Sequence, residues 1–242
     1  MRVGLFVTCL IDAMRPEIGF STLKLLEAAG CEVVVPESQT CCGQPAYSSG
    51  DRKAARALAE KFVEEFENFD YVVIPSGSCG GNVKTHYADL FSDDPVWLAR
   101  MQRLAPRVYE LTDFLQSVVK LDKLPGQGKS PGKVTYHDSC CGLRELGVQQ
   151  QPRELLGKAG IEITEMKDSR QCCGFGGTFS IKYGNISSAI VDEKCANIHD
   201  CGADAVVLGD LGCMLNIEGR LRRTGDDKTR VLHVAQVLAG DI

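Results

Sequence analysis

The chain has 242 residues, of which 44% are hydrophobic and 24% charged, with a formal net charge of −5. This balance is typical of a globular protein with enough apolar residues to form a core. No basic block argues for a nucleic-acid partner, no apolar run is long enough to span a membrane, and the N-terminus lacks a signal-peptide pattern. We therefore expect a cytoplasmic protein.

The first 120 residues alternate between predicted strands and predicted helices. Short apolar runs predict buried strands, and apolar residues at helical spacing predict amphipathic helices. Asp51 is a plausible N-cap and Gly30 a plausible helix stop. The predicted strands are residues 2–8, 32–35, 71–74 and 108–111, and the predicted helices are residues 20–29, 51–69, 82–91, 95–105 and 112–119.

Proline and glycine are concentrated at residues 121–132, which we predict to be a linker between halves at 1–120 and 133–242. The alternating pattern restarts after this linker. The predicted strands of the second half are residues 134–137, 161–166, 205–208 and 230–233, and its predicted helices are residues 152–159, 185–200 and 234–238.

The spacing of the cysteines repeats between the two halves. Cys9 lies 32 positions before the doublet that starts at Cys41, and Cys140 lies 32 positions before the doublet that starts at Cys172. One further cysteine follows each doublet in similar surroundings. The two predicted sets are Cys9, Cys41, Cys42 and Cys79 in the first half, and Cys140, Cys172, Cys173 and Cys213 in the second.

Other residues repeat with the cysteines, among them the Leu-Leu pairs at 25–26 and 155–156. We infer an internal duplication that produces an α/β fold of two pseudo-symmetric halves. Each half should be a small, mainly parallel sheet flanked by helices. The clustered cysteines would then lie at the carboxyl ends of strands, where such sheets bind ligands.

Sulfur ligands of this kind suit zinc or iron–sulfur clusters, whereas structural disulfides are rare in a reducing compartment. Zinc sites usually contain closely spaced C-x₂₋₄-C pairs, which the chain lacks. A [4Fe–4S] cluster needs about four thiolates, the number that each half supplies. We predict one such cluster per half, with Gly43, Gly80 and Gly174 allowing the backbone to approach it closely.

The residues near the cysteines belong to longer motifs. These are residues 5–10 (LFVTCL), 41–47 (CCGQPAY), 75–79 (PSGSC), 109–114 (YELTDF), 172–180 (CCGFGGTFS), 191–194 (VDEK) and 216–220 (NIEGR). They resemble the CCG-domain iron–sulfur proteins, which include the cysteine-rich subunit of heterodisulfide reductase and the iron–sulfur subunits of glycolate and glycerol-3-phosphate oxidation systems. The motifs are most similar to those of the members that act in lactate utilisation, and the resemblance covers almost the whole chain.

This resemblance implies an iron–sulfur oxidoreductase subunit of a cytosolic three-protein complex. The complex would oxidise L-lactate, a small 2-hydroxy acid, to pyruvate. The implied partners are a second iron–sulfur protein and a third small subunit. The full family pattern ends each half in C-x-x-C, but here Ser76 and Asp210 occupy the first position of that pair. Cys141 replaces a histidine often found after the first cysteine and is a candidate additional ligand.

His137 lies just before Cys140 and could relay a proton to a substrate, or it could simply hold the loop by hydrogen bonds. Cys31, Cys195 and Cys201 lie outside the repeat and are expected to behave as small apolar residues.

Three alternatives to lactate oxidation stay open at this stage. The chain could act on another substrate, namely glycolate, glycerol-3-phosphate or a disulfide. It could be a non-catalytic zinc-binding protein. It could also be a thiol–disulfide enzyme, although adjacent cysteines strain a mutual disulfide.

Overall fold

Seven strands form two separate sheets in the computed structural model, which describes residues 1–242. Every strand pair is parallel, as expected for strands joined by crossover helices. The strands are β1 (Arg2–Leu5), β2 (Glu32–Val34), β3 (Tyr71–Ile74), β4 (Val108–Glu110), β5 (Val134–His137), β6 (Ala205–Leu208) and β7 (Arg230–His233).

The first sheet has the order β2-β1-β3-β4, and the second has the order β5-β6-β7. Helices connect and flank these strands. They are α1 (Cys9–Met14), α2 (Pro16–Ala28), α3 (Gln44–Ser48), α4 (Arg52–Phe66), α5 (Gly77–Gly81), α6 (Tyr87–Leu90), α7 (Pro95–Leu104), α8 (Leu111–Asp113), α9 (Cys140–Leu146), α10 (Gln150–Lys158), α11 (Thr178–Lys182), α12 (Gly184–Asp200), α13 (Leu211–Arg223) and α14 (Val234–Ala239). The predicted α/β architecture with two mainly parallel sheets is confirmed.

The strand predicted at residues 161–166 does not form. Only Ile163 bridges to Val134, in a parallel pairing that matches the place of β2 beside β1. The pairing stops there because the backbone N–H of Met166 donates to the side-chain Oγ1 of Thr135, at 3.0 Å, instead of to a backbone carbonyl. The second sheet is therefore one strand shorter than the first.

Several helices begin where the sequence predicted only loops. Helices α1, α5, α9 and α13 each carry a clustered cysteine in their first turn. Side chains cap three of them: Thr8 Oγ1 accepts from Ile11 N, Ser76 Oγ from Cys79 N, and Asp210 Oδ1 from Gly212 N. These four cysteines therefore lie at helix N-termini, whereas the two doublets lie in loops.

The two sheets share a core. Helix α2 packs against α14, and buried residues from both halves form one apolar cluster, while a second cluster lies within the first half. The region predicted as a linker packs against this shared core: Leu121 and Leu124 are buried, and Gly126 N donates to Leu238 O at 2.8 Å. The division into two domains at residues 121–132 stays a prediction.

Candidate metal centre

The first set of cysteines lies at the carboxyl ends of three adjacent strands. Cys9 begins α1 shortly after β1, the doublet Cys41–Cys42 follows β2, and Cys79 lies in α5 after β3. Parallel strands end at the same edge of a sheet, so the loops and helices that follow them converge there. We call these four residues the first thiol set.

Sulfur atoms of the first thiol set contact one another. The Sγ atoms of Cys42 and Cys79 are 3.2 Å apart, and Cys41 contacts both Cys9 and Cys42. Hydrogen bonds from Cys42 and Cys9 lower the pKa of the Cys41 thiol to about 2. The pKa values of Cys9 and Cys42 are raised, first because both thiols hydrogen-bond to Cys41 and then because both are desolvated. The set therefore favours a thiolate, the form that binds metals.

Backbone and polar groups hold the first doublet in place. Gly43 adopts φ +79°, and its N–H donates to Cys41 Sγ at 3.4 Å. The carbonyl of Cys42 accepts from Asn82 Nδ2 and from the Tyr87 hydroxyl, both at 2.8 Å. These contacts fix the direction in which the two cysteine side chains leave the turn.

The second set repeats this arrangement. Cys140 begins α9 after β5, Cys172 and Cys173 lie in the loop before α11, and Cys213 lies in α13 after β6. Hydrogen bonds from Cys140 and Cys173 lower the pKa of Cys172 to about 2, and the pKa values of both donors are raised. We call Cys140, Cys172, Cys173 and Cys213 the second thiol set.

The supporting contacts are duplicated as well. Gly174 N donates to Cys172 Sγ at 3.3 Å, and Asn216 Nδ2 donates to the Cys173 carbonyl at 2.7 Å. Gly174 has φ +85°, and a Cβ on this residue would lie 2.6 Å from the carbonyl oxygen of Ser187. Only glycine fits here, because the conformation is left-handed and the helix backbone lies directly alongside.

The two thiol sets lie at the boundary between the halves. Asp210 Oδ2 accepts from Ser76 Oγ at 3.0 Å and from Ser78 N at 2.8 Å. Ser76 and Asp210 are the residues that replace the first cysteines of the C-x-x-C pairs. They thus hydrogen-bond to each other, and they join the loop before Cys79 to the loop before Cys213.

Helices α5 and α9 pack closely across the same boundary. A Cβ on Gly80 would lie 3.1 Å from Leu146 Cδ1, and one on Gly81 would lie 3.3 Å from Cys141 Cβ. Gly80 therefore permits helix packing, and its predicted contact with a cofactor stays a prediction. Burial raises the pKa of Cys141 to about 12. This residue faces the other half, and its role as a ninth ligand also stays a prediction.

His137 ends β5 and is completely buried. Neither ring nitrogen has a hydrogen-bond partner, and burial lowers the pKa of the ring to about 4. One of its nitrogens and the sulfurs of Cys173 and Cys213 all lie within 4.8 Å of one another. The predicted proton relay stays a prediction, and the nearest reactive groups are thiols rather than solvent.

The cysteines outside the repeat have apolar or backbone surroundings. Cys31 and Cys195 are buried in the shared apolar core, and Cys201 Sγ donates to the carbonyl of Ile198 at 3.1 Å. Burial raises the pKa of Cys195 to about 11, so it is a neutral thiol. None of these three cysteines is therefore proposed as a cluster ligand.

Solvent reaches the first thiol set through a groove of about 840 Å³. Cys9 and Cys41 lie in its lining, together with Phe20, whose surface is 71% exposed. A second cavity, about 800 Å³, is lined almost entirely by polar and charged residues, including Arg153 and Arg170, and by none of the clustered cysteines. Of these two cavities, the groove is the one that reaches clustered cysteines.

Three residues support the sites without a role predicted from the sequence: Asn82, Asn216 and Lys194. Asn82 and Asn216 each follow the last cysteine of their set by three positions, and that equal spacing was the available signal. Lys194 lies within the motif at residues 191–194, but only the fold shows that it is buried beside the second thiol set.

The donor atoms of both sets fit an iron–sulfur cluster. Each set offers four thiols, arranged so that one is held as a thiolate by its neighbours. A backbone N–H is already directed at a sulfur in each set. Sulfur ligands with nearby N–H donors are the usual environment of such clusters.

Known proteins resemble this chain along its whole length. The family model described as "Cysteine-rich domain", CCG, matches twice, at residues 3–84 and 134–218. Lactate utilization protein A of Geobacillus kaustophilus is 48% identical over 240 residues, which cover 98% of both chains. Its counterpart from Halalkalibacterium halodurans is 44% identical and covers 98% of this chain and 96% of the relative.

A crystal structure of a hypothetical protein from Helicobacter pylori has the same fold. It superposes with a TM-score of 0.65 at 12% identity, covering 99% of this chain and 49% of the other. This chain thus spans about half of that protein. Among the helices of this chain, none is both long and apolar enough to cross a membrane.

Proposed function

This chain belongs to the CCG cysteine-rich family, in the lactate utilization protein A group, and on that premise we propose that it is the iron–sulfur subunit of a cytosolic complex that oxidises L-lactate to pyruvate. We further propose one [4Fe–4S] cluster in each half.

One observation carries this proposal: the four-thiol arrangement occurs twice, each time with a glycine N–H directed at a sulfur and an asparagine amide that donates to the doublet. A structural zinc site needs no second copy, and a thiol–disulfide enzyme needs only two sulfurs. Two one-electron sites match a reaction that releases two electrons, as the conversion of a 2-hydroxy acid to a 2-oxo acid does. The repeated set therefore supports electron transfer over a purely structural role.

The ligands we propose are Cys9, Cys41, Cys42 and Cys79 for the first cluster, and Cys140, Cys172, Cys173 and Cys213 for the second. A bound cluster would supply reversible one-electron chemistry at each position. The remaining work falls to residues of the chain itself. Gly43 and Gly174 direct N–H groups at sulfur, Asn82 and Asn216 hold the doublets, and buried apolar residues exclude water.

We propose that electrons are exchanged with a second iron–sulfur protein, and that a third small subunit completes the complex. The exposed groove at Cys9 supports such an exchange, because it lets another protein approach the first thiol set closely. Co-purification from the native host with an affinity tag on this chain would identify the partners. Isolation of this chain alone under several gentle conditions would contradict the three-protein complex.

Anaerobic purification with iron and acid-labile sulfide counts tests the cluster assignment. About eight irons and eight sulfides per chain would support two [4Fe–4S] clusters, and about four would support one. Zinc without labile sulfide would overturn the assignment in favour of a structural zinc protein. If iron and labile sulfide are found, electron paramagnetic resonance of the reduced protein would identify the type of cluster.

Matched cysteine variants locate the ligands. Cys42→Ser and Cys173→Ser should each remove the iron of one half, because each deletes a ligand from a different set. Cys31→Ala is the control and should keep the full iron content, because that thiol lies in the apolar core. Equal iron loss in all three variants would mean that general unfolding, and not ligand loss, releases the iron.

The substrate is tested in the host. Deletion of the gene should abolish growth on L-lactate and spare growth on glycolate or glycerol-3-phosphate. The opposite pattern would assign the chain to another substrate of the same family. The proton relay at His137 has its own test, because a His137→Ala variant with full lactate-dependent turnover in the assembled complex would remove that hypothesis.

A further inference from the structure

Two buried positions near the cysteine doublets are aromatic in the first half and carry nitrogen in the second. In the first half, Phe6 lies three residues before Cys9 and packs edge-on against Phe62, with ring centroids 5.1 Å apart. In the second half, His137 lies three residues before Cys140 and so occupies the position of Phe6.

Lys194 occupies the position of Phe62. The five buried residues of α4 have counterparts at the same spacing in α12, which buries Asn197 in addition, so the two faces can be superposed. The buried residues are Ala55, Ala59, Phe62, Val63 and Phe66 in α4, and Ser187, Val191, Lys194, Cys195 and Ile198 at the matching positions of α12. An aromatic pair in the first half is therefore replaced by two nitrogen-bearing side chains in the second.

The imidazole of His137 has no partner within the protein. Both of its nitrogens are buried without a hydrogen bond, which is unfavourable for a polar ring. A ring nitrogen and the sulfurs of Cys173 and Cys213 lie within 4.8 Å of one another, so the imidazole faces two members of the second thiol set. This position suits a group that donates an N–H to a sulfur-rich ligand.

Lys194 is a buried cation without a carboxylate partner. Its side chain has no exposed surface, and its Nζ donates to the carbonyls of Asp168, at 2.6 Å, and Ser169, at 3.3 Å. Burial lowers the pKa of Lys194 below its ordinary value, and Cys173, Asp138, Asp168 and Cys213 act in the opposite direction. Asp138 is already held by two hydrogen bonds from Arg153. A buried charge needs compensation, and the second thiol set lies close enough to provide it.

We propose that His137 and Lys194 make the second site the electron-accepting one, with a higher reduction potential than the first. The inference rests on the proposed function, since it assumes a cluster in each half. Reduction adds one negative charge to a site, and an N–H donor and a buried cation stabilise that charge. Phe6 and Phe62 offer the first site neither. An electron would leave the first site, oxidising it, and reduce the second.

A potentiometric titration of the anaerobically purified full chain, followed by electron paramagnetic resonance, tests this. Wild type should show two reduction steps at different potentials. His137→Phe and Lys194→Met should each move the upper step to lower potential and leave the lower step unchanged. Cys42→Ser, which removes a ligand of the first site, should delete the lower step and keep the upper one.

Both substitutions were chosen so that the variants should fold. His137→Phe copies the residue of the first half, and Lys194→Met keeps an unbranched side chain of similar length. A measurement on wild type alone also decides the question if neither variant folds: protein labelled with ¹⁵N-histidine should show hyperfine coupling of a histidine nitrogen to the cluster that is reduced first. Absence of that coupling would overturn the role of His137.

Two further results would contradict the proposal: two clusters of equal potential in wild type, or unchanged potentials in both variants. Failure of the proposed function is a separate outcome, because it would appear as missing iron or missing labile sulfide before any titration begins.

Discussion

A single methyl group added at Gly174 tests the geometry of the second doublet. The residue has φ +85°, and the new Cβ in Gly174→Ala would lie 2.6 Å from Ser187 O and 3.2 Å from Ile190 Cβ. Cβ atoms do not approach a backbone oxygen so closely, so either the doublet loop or the first turn of α12 must move.

The cost has two parts. A left-handed conformation costs an alanine about 1 kcal/mol relative to glycine. Displacing a packed helix backbone adds about 1–3 kcal/mol, as in overpacked cores. We therefore expect Gly174→Ala to lower the free energy of unfolding by about 2–4 kcal/mol.

The duplication provides matched controls. At Gly43, φ is +79° and the nearest atom to a new Cβ is Leu58 Cβ at 3.4 Å, so Gly43→Ala should cost close to the conformational term alone. At Gly160, φ is +82° and no atom lies within 4 Å, so Gly160→Ala isolates that term.

Urea unfolding of the metal-free variants, followed by circular dichroism, measures these differences. Iron content after anaerobic reconstitution shows whether the second site is still formed. A Gly174→Ala variant no less stable than Gly160→Ala would contradict this expectation, since the close approach to Ser187 would then have no energetic effect.

Three further predictions concern groups near the sites. Asp210→Ala should lower the free energy of unfolding by about 3 kcal/mol, because it leaves Ser76 and Ser78 without their buried acceptor; a loss below about 1 kcal/mol in urea unfolding would contradict the bridge. Burial raises the pKa of Glu110 from 4.5 to about 7, so the stability it contributes is complete below pH 4.5 and is lost as the pH rises to about 7. That loss is about 3 kcal/mol, at about 1.4 kcal/mol per pH unit. Glu110→Gln should therefore flatten the dependence of the free energy of unfolding on pH. An unchanged pH dependence in this variant would mean that another group causes it. Cys201→Ala should retain full iron content in the anaerobic protein, because its thiol donates to Ile198 O, and iron loss without unfolding would assign it to a site.

The sequence alone determined the architecture of this protein to a large extent. Parallel strands and crossover helices produce alternating apolar runs and amphipathic stretches in the sequence, because strands are buried on both faces and helices on one. The repeated cysteine spacing indicated two equivalent ligand sets, since both halves descend from one pattern. The errors fell on short elements, such as the missing strand at residues 161–166. There a side chain, Thr135, takes the hydrogen bond that the strand pairing would have used.

The differences between the two halves are visible in the packing of the folded chain and not in the sequence pattern. The sequence contains His137 and Lys194, but nothing in their local pattern shows that they lie behind the second doublet, where the first half has Phe6 and Phe62. The link between Ser76 and Asp210 likewise joins residues that are far apart in the chain. Such contacts depend on how sheets and helices pack against one another, and packing is not encoded in the spacing of neighbouring residues.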